Sequence, residues 1–166
     1  MMIGKALALA GGMVGAVACS QYPEFSQQYI QRLAGQVDAL SIIVADFDRS
    51  AGASGLTRVA ALDQLQGTPF LAARHVDMKN AFARFDRLSN NLTFLRLATP
   101  LERIVMRHRL ADPDTFNATW ADFRPALPLT VAGAVAGGAG FIGGWGAVAL
   151  ILSLLLWPFR WRKAAH

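Results

Sequence analysis

Apolar residues fill two long runs near the ends of the chain and recur every three or four positions between them. The first run covers residues 3–19, and the second covers residues 127–157 without one charged side chain. A helix of about 20 apolar residues crosses the hydrocarbon core of a bilayer. The pattern therefore predicts an all-α membrane protein with a first transmembrane helix at 1–19 and a second at 128–157.

The region between the runs, residues 20–127, shows the 3.6-residue period of amphipathic helices. Prolines and a turn-rich segment at 48–55 divide it into five expected helices. Apolar positions in the two long helices alternate by four and three, which predicts a coiled-coil hairpin. The long helices are expected at 24–49 and 70–98, and the short ones at 56–66, 101–111 and 113–124.

Basic residues at the two ends predict how the chain crosses the membrane. The net charge is +5, although residues 20–127 hold all 11 acidic residues and 12 of the 16 basic residues. Lys5 precedes the first run, and a basic tail at 158–166 follows the second. Because cytoplasmic flanks are rich in Lys and Arg, we expect both termini in the cytoplasm and the middle region in the periplasm, across a bacterial inner membrane. The expected membrane anchor consists of Trp157, Arg160, Trp161, Arg162 and Lys163.

Small residues recur along both runs at the spacing that lets helices approach closely in lipid. An alternative for the first run is an export signal, because residues 16–19 resemble a bacterial lipobox in which Cys19 would be lipidated. The stripe of small residues favours a retained helix. The residues expected to pack the spans together are Gly11, Gly15, Ala132, Ala136, Gly140 and Gly144.

Composition and the placement of charged, His and Cys residues argue against several classes of protein. Hydrophobic residues make up 54% of the 166 residues and charged residues 16%, which excludes a disordered chain. Cations placed at the ends, instead of on one folded face, argue against a nucleic-acid partner. The three His have no second His or Cys at a zinc-binding spacing, and the one Cys lies in the first run. We therefore expect no metal, no cofactor and no catalytic nucleophile, and predict that the chain is not an enzyme.

A segment that mixes uncharged polar groups with aromatic rings follows the first run. This mixture is typical of a headgroup layer or a protein interface. The residues expected to contact a partner or headgroups are Gln21, Pro23, Phe25, Tyr29, Gln31 and Arg32. With Leu33, they resemble the Gln-x-Pro-x-Phe-x-x-x-Tyr-x-Gln-Arg-Leu motif of a family of small, uncharacterised, two-span proteobacterial membrane proteins, a domain of unknown function. The resemblance implies an inner-membrane location and no particular reaction.

Together these features predict a non-enzymatic accessory or scaffolding subunit that docks to a larger membrane complex through its spans and its helical hairpin. The expected partners are membrane lipid and other membrane protein subunits or further copies of the chain. Two alternatives remain from the sequence. One is a homo-oligomeric pore built from the glycine-rich spans, and the other is a lipoprotein anchored through Cys19.

Overall fold

A computed structural model describes the backbone of residues 2–125 and 130–163, and the side chains of these ranges up to residue 155. All regular elements within these ranges are helices, which confirms the all-α fold class. They are α1 (Met2–Ser20), α2 (Tyr22–Ala53), α3 (Arg58–Asp63), α4 (Pro69–Leu97), α5 (Glu102–Val105), a 3₁₀ helix (Arg107–Leu110), α6 (Pro113–Asp122) and α7 (Val131–Lys163).

Within the residues that the structure describes, two helices are long and apolar enough to cross a membrane. One includes α1, and the other is the Val131–Leu155 part of α7. The start predicted for the second span, residue 128, lies outside the described residues, as does the end of the tail at 164–166.

The expectation of a loop at 48–55 is wrong, because α2 continues to Ala53. Serine hydroxyls within this segment donate to carbonyls four residues earlier, which suits a helical backbone. The helix ends at Ala53, and Gly55 follows it with a φ of 69°, in the left-handed region that glycine tolerates. The Leu56 N–H then donates to the Ala51 carbonyl at 2.9 Å, as in a Schellman C-cap.

Two other boundaries also differ from the prediction. The expected helix at 101–111 is divided into α5 and the 3₁₀ helix, because Met106 between them leaves the helical conformation. Helix α7 continues through Pro158 to Lys163, six residues beyond the predicted end of the span at residue 157. A proline removes a single backbone N–H, and membrane helices tolerate this interruption.

The chain forms two compact units, and residues 20–27 and 100–105 group with the spans instead of with the rest of the predicted middle region. Helix α2 contributes to both units. The span unit combines Met1–Gln27, Pro100–Val105 and Phe123–His166, and the helical unit combines Gln28–Thr99 and Met106–Asp122.

The core of the helical unit gathers side chains from α2, α3 and α4. Val44, Met78 and Phe82 are buried at its centre. The Phe47 and Phe82 rings meet edge to face with centroids 5.2 Å apart, and the Arg58 guanidinium lies over the Phe82 ring at 4.8 Å. Its buried residues are apolar positions of both long helices, Val44 from α2 and Met78 and Phe82 from α4. The coiled coil itself stays a prediction.

Helices α1 and α7 of the span unit run antiparallel and touch through glycines. Gly11 lies against Gly144 and Gly15 against Gly140, so residue numbers rise along one helix as they fall along the other. A β-carbon on Gly15 would collide with the Gly140 carbonyl, and one on Gly144 would collide with the Gly11 carbonyl. In lipid, helices associate through such close van der Waals approach, because burying apolar surface brings little hydrophobic gain.

Small residues extend this contact along both helices. Ala132 and Ala136, from the predicted packing set, are 7% and 6% exposed. A β-carbon on Gly12 would lie 2.8 Å from the Phe141 ring, so the ring covers the space that the glycine leaves. At the far end, a β-carbon on Gly4 would lie 3.8 Å from a Leu152 methyl. The start of α1 therefore lies beside the later turns of α7.

Gly144→Val should weaken the pairing of α1 and α7, because its side chain would strike the Gly11 carbonyl. Overpacking of this kind costs about 1–3 kcal/mol. We expect the free energy of unfolding in mixed micelles to fall by about 2 kcal/mol, measured by titration with a denaturing detergent and followed by circular dichroism.

Gly143→Val is the matched control. A β-carbon at this neighbouring position meets no described atom within 4 Å, and both substitutions change helix propensity alike. Equal destabilisation by the two variants would contradict the importance of the glycine contact.

Candidate functional site

The helical unit buries one carboxylate, that of Asp112, directly ahead of α6. Its side chain is 2% exposed. The Oδ1 atom accepts hydrogen bonds from the Thr115 N–H at 3.1 Å and the Thr115 hydroxyl at 2.7 Å. Asp112 is therefore the N-cap of α6, with Pro113 at the first helical position. The Asp-Pro-x-Thr pattern is a sequence signal of this cap, although hydrophobic periodicity does not reveal it.

Two arginines of α4 balance the charge of this carboxylate. Arg84 lies 3.2 Å from Oδ1 of Asp112, and Arg87 lies 3.6 Å from Oδ2. Oδ2 has no hydrogen-bond partner among the described residues, and the charge of Arg87 lies beside it. Arg84 also pairs with the exposed Asp114 at 3.0 Å. Sequence reasoning missed these pairs because Arg84 and Asp112 are 28 residues apart.

The surroundings of Asp112 keep it ionised. Burial by itself raises the pKa of the Asp112 carboxyl, but hydrogen bonds from Thr115 and the charges of Arg84 and Arg87 outweigh it and hold that pKa below its ordinary value. A carboxylate held in this way acts as a fixed negative group at a helix N-terminus and does not exchange protons near neutral pH.

Helix α2 completes this polar cluster. The Tyr29 side chain is fully buried, and its hydroxyl accepts a hydrogen bond from the Asp112 N–H at 3.3 Å. Burial is the main reason why the pKa of Tyr29 is raised, and the charge of Asp112 adds to it. Gln36 Oε1 lies 2.7 Å from the Thr115 hydroxyl. The cluster therefore joins α2, α4 and the start of α6.

The aromatic part of the segment predicted to face a partner or headgroups is turned inward. Phe25 is 8% exposed and its ring meets that of Phe123 edge to face, with centroids 5.6 Å apart. Pro23 is buried, and Tyr29 is 0% exposed. Phe25 and Tyr29 are four residues apart and so share one face of α2, and later parts of the chain cover that face.

The polar members of the same segment also have partners inside the chain. Arg32 forms an ion pair with Asp122. The Gln21 side-chain amide donates to the Ser20 hydroxyl at 3.3 Å, while Gln31 is exposed. Contact of this segment with a separate partner stays a prediction, and most of its side chains serve internal packing.

Arg103 anchors α5 to the start of α2 in the span unit, and it was not among the predicted site residues. It is 9% exposed, and its guanidinium donates to Gln27 Oε1 at 2.9 Å. The Tyr22 hydroxyl donates to the Arg103 carbonyl at 2.9 Å. Burial lowers the pKa of Arg103, yet arginine stays charged at any physiological pH.

The other candidate groups lie apart from these clusters. Cys19 lies at the contact of α1 and α7, where a β-carbon on Gly140 would be 2.8 Å from its Sγ. His75 Nδ1 lies 2.9 Å from the Leu62 carbonyl oxygen. Within residues 2–125 and 130–163, no group of three or more His, Cys, Asp or Glu residues could hold a metal ion. The side chains of the predicted anchor, Trp157, Arg160, Trp161, Arg162 and Lys163, lie outside the described part of α7.

A family model described as "Protein of unknown function (DUF2937)" matches residues 3–161, and the chain therefore belongs to this family. This confirms the expected membership of a family without an assigned function. The proteobacterial source and the Gln-x-Pro motif stay predictions. No curated protein and no solved structure matches the chain.

Asp112→Ala should destabilise the helical unit, because it removes the cap of α6 and leaves two arginines without their buried counter-charge. We expect the free energy of unfolding in detergent to fall by about 2 kcal/mol, measured by chemical denaturation. Asp114→Ala is the matched control, since that carboxylate also pairs with Arg84 but is 75% exposed. Exposed ion pairs contribute about 0–1 kcal/mol. Similar losses in both variants would contradict the role of the buried cap.

Acid should destabilise the protein partly by protonating the Asp112 carboxylate. Because the pKa of Asp112 is lower in the folded chain than in the unfolded chain, its stabilisation is present above the unfolded value of about 4 and is lost as the pH falls through the folded value. Between pH of about 6 and about 3, denaturation should show a larger loss of stability for the wild type than for Asp112→Asn, which does not titrate. Parallel profiles would show that Asp112 carries no pH-dependent stability.

Proposed function

We propose that this member of the DUF2937 family is a non-enzymatic, two-span inner-membrane protein that serves as an accessory or scaffolding subunit of a larger membrane assembly. In this proposal both termini are cytoplasmic and residues 20–127 are periplasmic. The antiparallel contact of α1 with α7 supports termini on one side, because Gly4 approaches Leu152. The cations at 5 and in the tail support the cytoplasmic side.

The observation that carries the proposal is a second set of glycines on α7, on the surface that α1 leaves uncovered. At Gly138, Gly143 and Gly146, an added β-carbon would meet no described atom within 4 Å. Ile142 and Trp145 beside them are 70% and 49% exposed. Glycines allow helix backbones to approach closely in lipid. This surface, which we call the outer glycine face, therefore has room for a helix of another subunit.

The buried polar groups Asp112 and Arg103 bind other parts of the chain, which supports a non-catalytic role. A catalytic group must reach a substrate, whereas Asp112 is enclosed as a helix cap and Arg103 is engaged with Gln27. Both groups hold helices together.

The contact of α1 with α7 also supports a retained first span. Lipoprotein processing would cleave the chain ahead of Cys19 and remove Gly11 and Gly15, which fit against α7. The glycines of α7 that face α1 would then lose their partner. The pairing thus favours an intact chain over a lipoprotein anchored through Cys19.

Photo-crosslinking in native membranes tests the outer glycine face. We expect p-benzoylphenylalanine in place of Ile142 to give an adduct of higher mass, identified by mass spectrometry after extraction in mild detergent. The control places the same group at Phe141, whose ring lies against Gly12. Because α1 covers this position, only internal products are expected there.

The identity of the adduct decides between the functions. An adduct with a different membrane protein supports the accessory subunit. An adduct of two identical chains supports the homo-oligomeric pore and counts against the accessory role. A chain that gives no adduct from Ile142 and runs as a monomer contradicts docking through this face.

A further inference from the structure

Trp145 lies on the outer glycine face, far from either end of the second span. Its side chain is 49% exposed. Gly138, Ile142 and Ala149 lie seven and three residues before it and four residues after it, so the four positions share one side of α7. The apolar part of α7 covers Val131–Leu155, and its nearer end is about 15 Å from Trp145 along the axis. In the membrane location that we propose, the indole is therefore deep in the hydrocarbon core and not at the interface, where tryptophan is usually found.

The indole N–H of Trp145 is a polar group in an otherwise apolar layer. In residues 6–18 and 131–152, no other side chain contains a nitrogen or an oxygen atom. The backbone carbonyls inside a helix already accept from the N–H four residues later. The bilayer core holds no water that could accept from the indole, so a donor at this depth needs an acceptor from protein.

The hydroxyl groups of α1 and of the apolar part of α7 lie at other depths. They belong to Ser20 and Ser153. Ser20 lies beside Gly137, and both serines are thus about 12 Å from Trp145 along the helix axis, beyond the reach of its indole. Each serine hydroxyl donates to a carbonyl of its own helix. The two spans of one chain therefore offer the indole N–H no side-chain oxygen.

We infer that the outer glycine face binds a transmembrane helix of a different protein, and that this helix places a Ser, Thr, Asn or Gln side chain against Trp145. The side-chain oxygen of that residue accepts a hydrogen bond from the indole N–H, as such residues do between membrane helices. Gly143 and Gly146 leave room for the partner's backbone, because a β-carbon there would meet no described atom within 4 Å. The inference rests on the proposed function and names the chemistry of its partner.

A second copy of the chain does not provide this acceptor. Copies inserted in one membrane cross it in the same direction, so each copy presents the same residues at the same depth. At the depth of Trp145 those residues have no side-chain oxygen. The contact therefore requires a different protein, which favours the accessory subunit over the homo-oligomeric pore.

Removal of the N–H without a change of shape tests this hydrogen bond. The photo-adduct from Ile142 first identifies the partner and its crosslinked helix. β-(3-Benzothienyl)alanine, in which sulfur replaces the indole N–H, is then incorporated in place of Trp145 in the tagged full-length chain. We expect the amount of this partner recovered per tagged chain in mild detergent to fall by about three-fold to ten-fold, as for hydrogen bonds between membrane helices. The same analogue in place of Trp120, in α6 of the helical unit, is the control and should leave the recovery unchanged.

A double-mutant cycle tests whether the two groups contact each other. The Ser, Thr, Asn or Gln residue of the partner's crosslinked helix is changed to Ala, alone and together with the analogue at Trp145. If the two side chains share a hydrogen bond, the double variant should lose no more partner than either single variant loses. Losses that multiply in the double variant would show that the groups do not interact and would overturn the inference.

The outcomes separate failure of this inference from failure of the proposed function. Equal recovery with Trp145 and with the analogue, or a crosslinked helix without such a polar residue, overturns the inference while docking through the outer glycine face still stands. If Ile142 gives no adduct and the chain runs as a monomer, docking is wrong and the inference fails with it. An adduct of two identical chains also overturns the inference, because a second copy has no acceptor at this depth.

Discussion

The structure of the span unit depends on contact between bare backbones. In lipid, burying apolar surface provides almost no driving force, so two helices stay together only where they approach closely. Gly11 and Gly15 meet Gly144 and Gly140 at positions where neither residue of the pair has a β-carbon. Helix α1 precedes the intervening residues and α7 follows them. Because the two helices are paired, the segment between them starts and ends at the same helix pair. It also brings the start of α1 beside the later turns of α7.

In the helical unit, a buried polar cluster around Asp112 holds the helices together. Asp112 caps α6, attracts two arginines of α4 and meets Tyr29 of α2. An ionised group is costly to bury, and hydrogen bonds and opposite charges must compensate it. That requirement turns the threonines of α6 inward and leaves Phe116 and Trp120 outside.

The segment after the first span shows how a sequence pattern can have two meanings. Phe25, Tyr29 and Leu33 recur every four residues, and the surrounding glutamines suggested an exposed interface. All three side chains are instead buried. The same spacing predicts both an exposed aromatic stripe and a buried core stripe, because periodicity defines a face of the helix but not what covers it. What covers it comes from residues more than 80 positions later, such as Asp112, whose N–H donates to Tyr29.

The sequence by itself determined the helical class and the two apolar helices, because periodicity and hydropathy are local properties that a short window of residues expresses. It also contained the cap of α6 in the Asp-Pro-x-Thr pattern. Only the tertiary structure decided which of two adjacent glycines, Gly143 or Gly144, meets α1, since the two are alike in composition and local context. It likewise decided that Asp112 pairs with Arg84 and that α6 buries Thr115 and Thr119. These choices depend on groups far apart in the chain, whose contact no local pattern encodes.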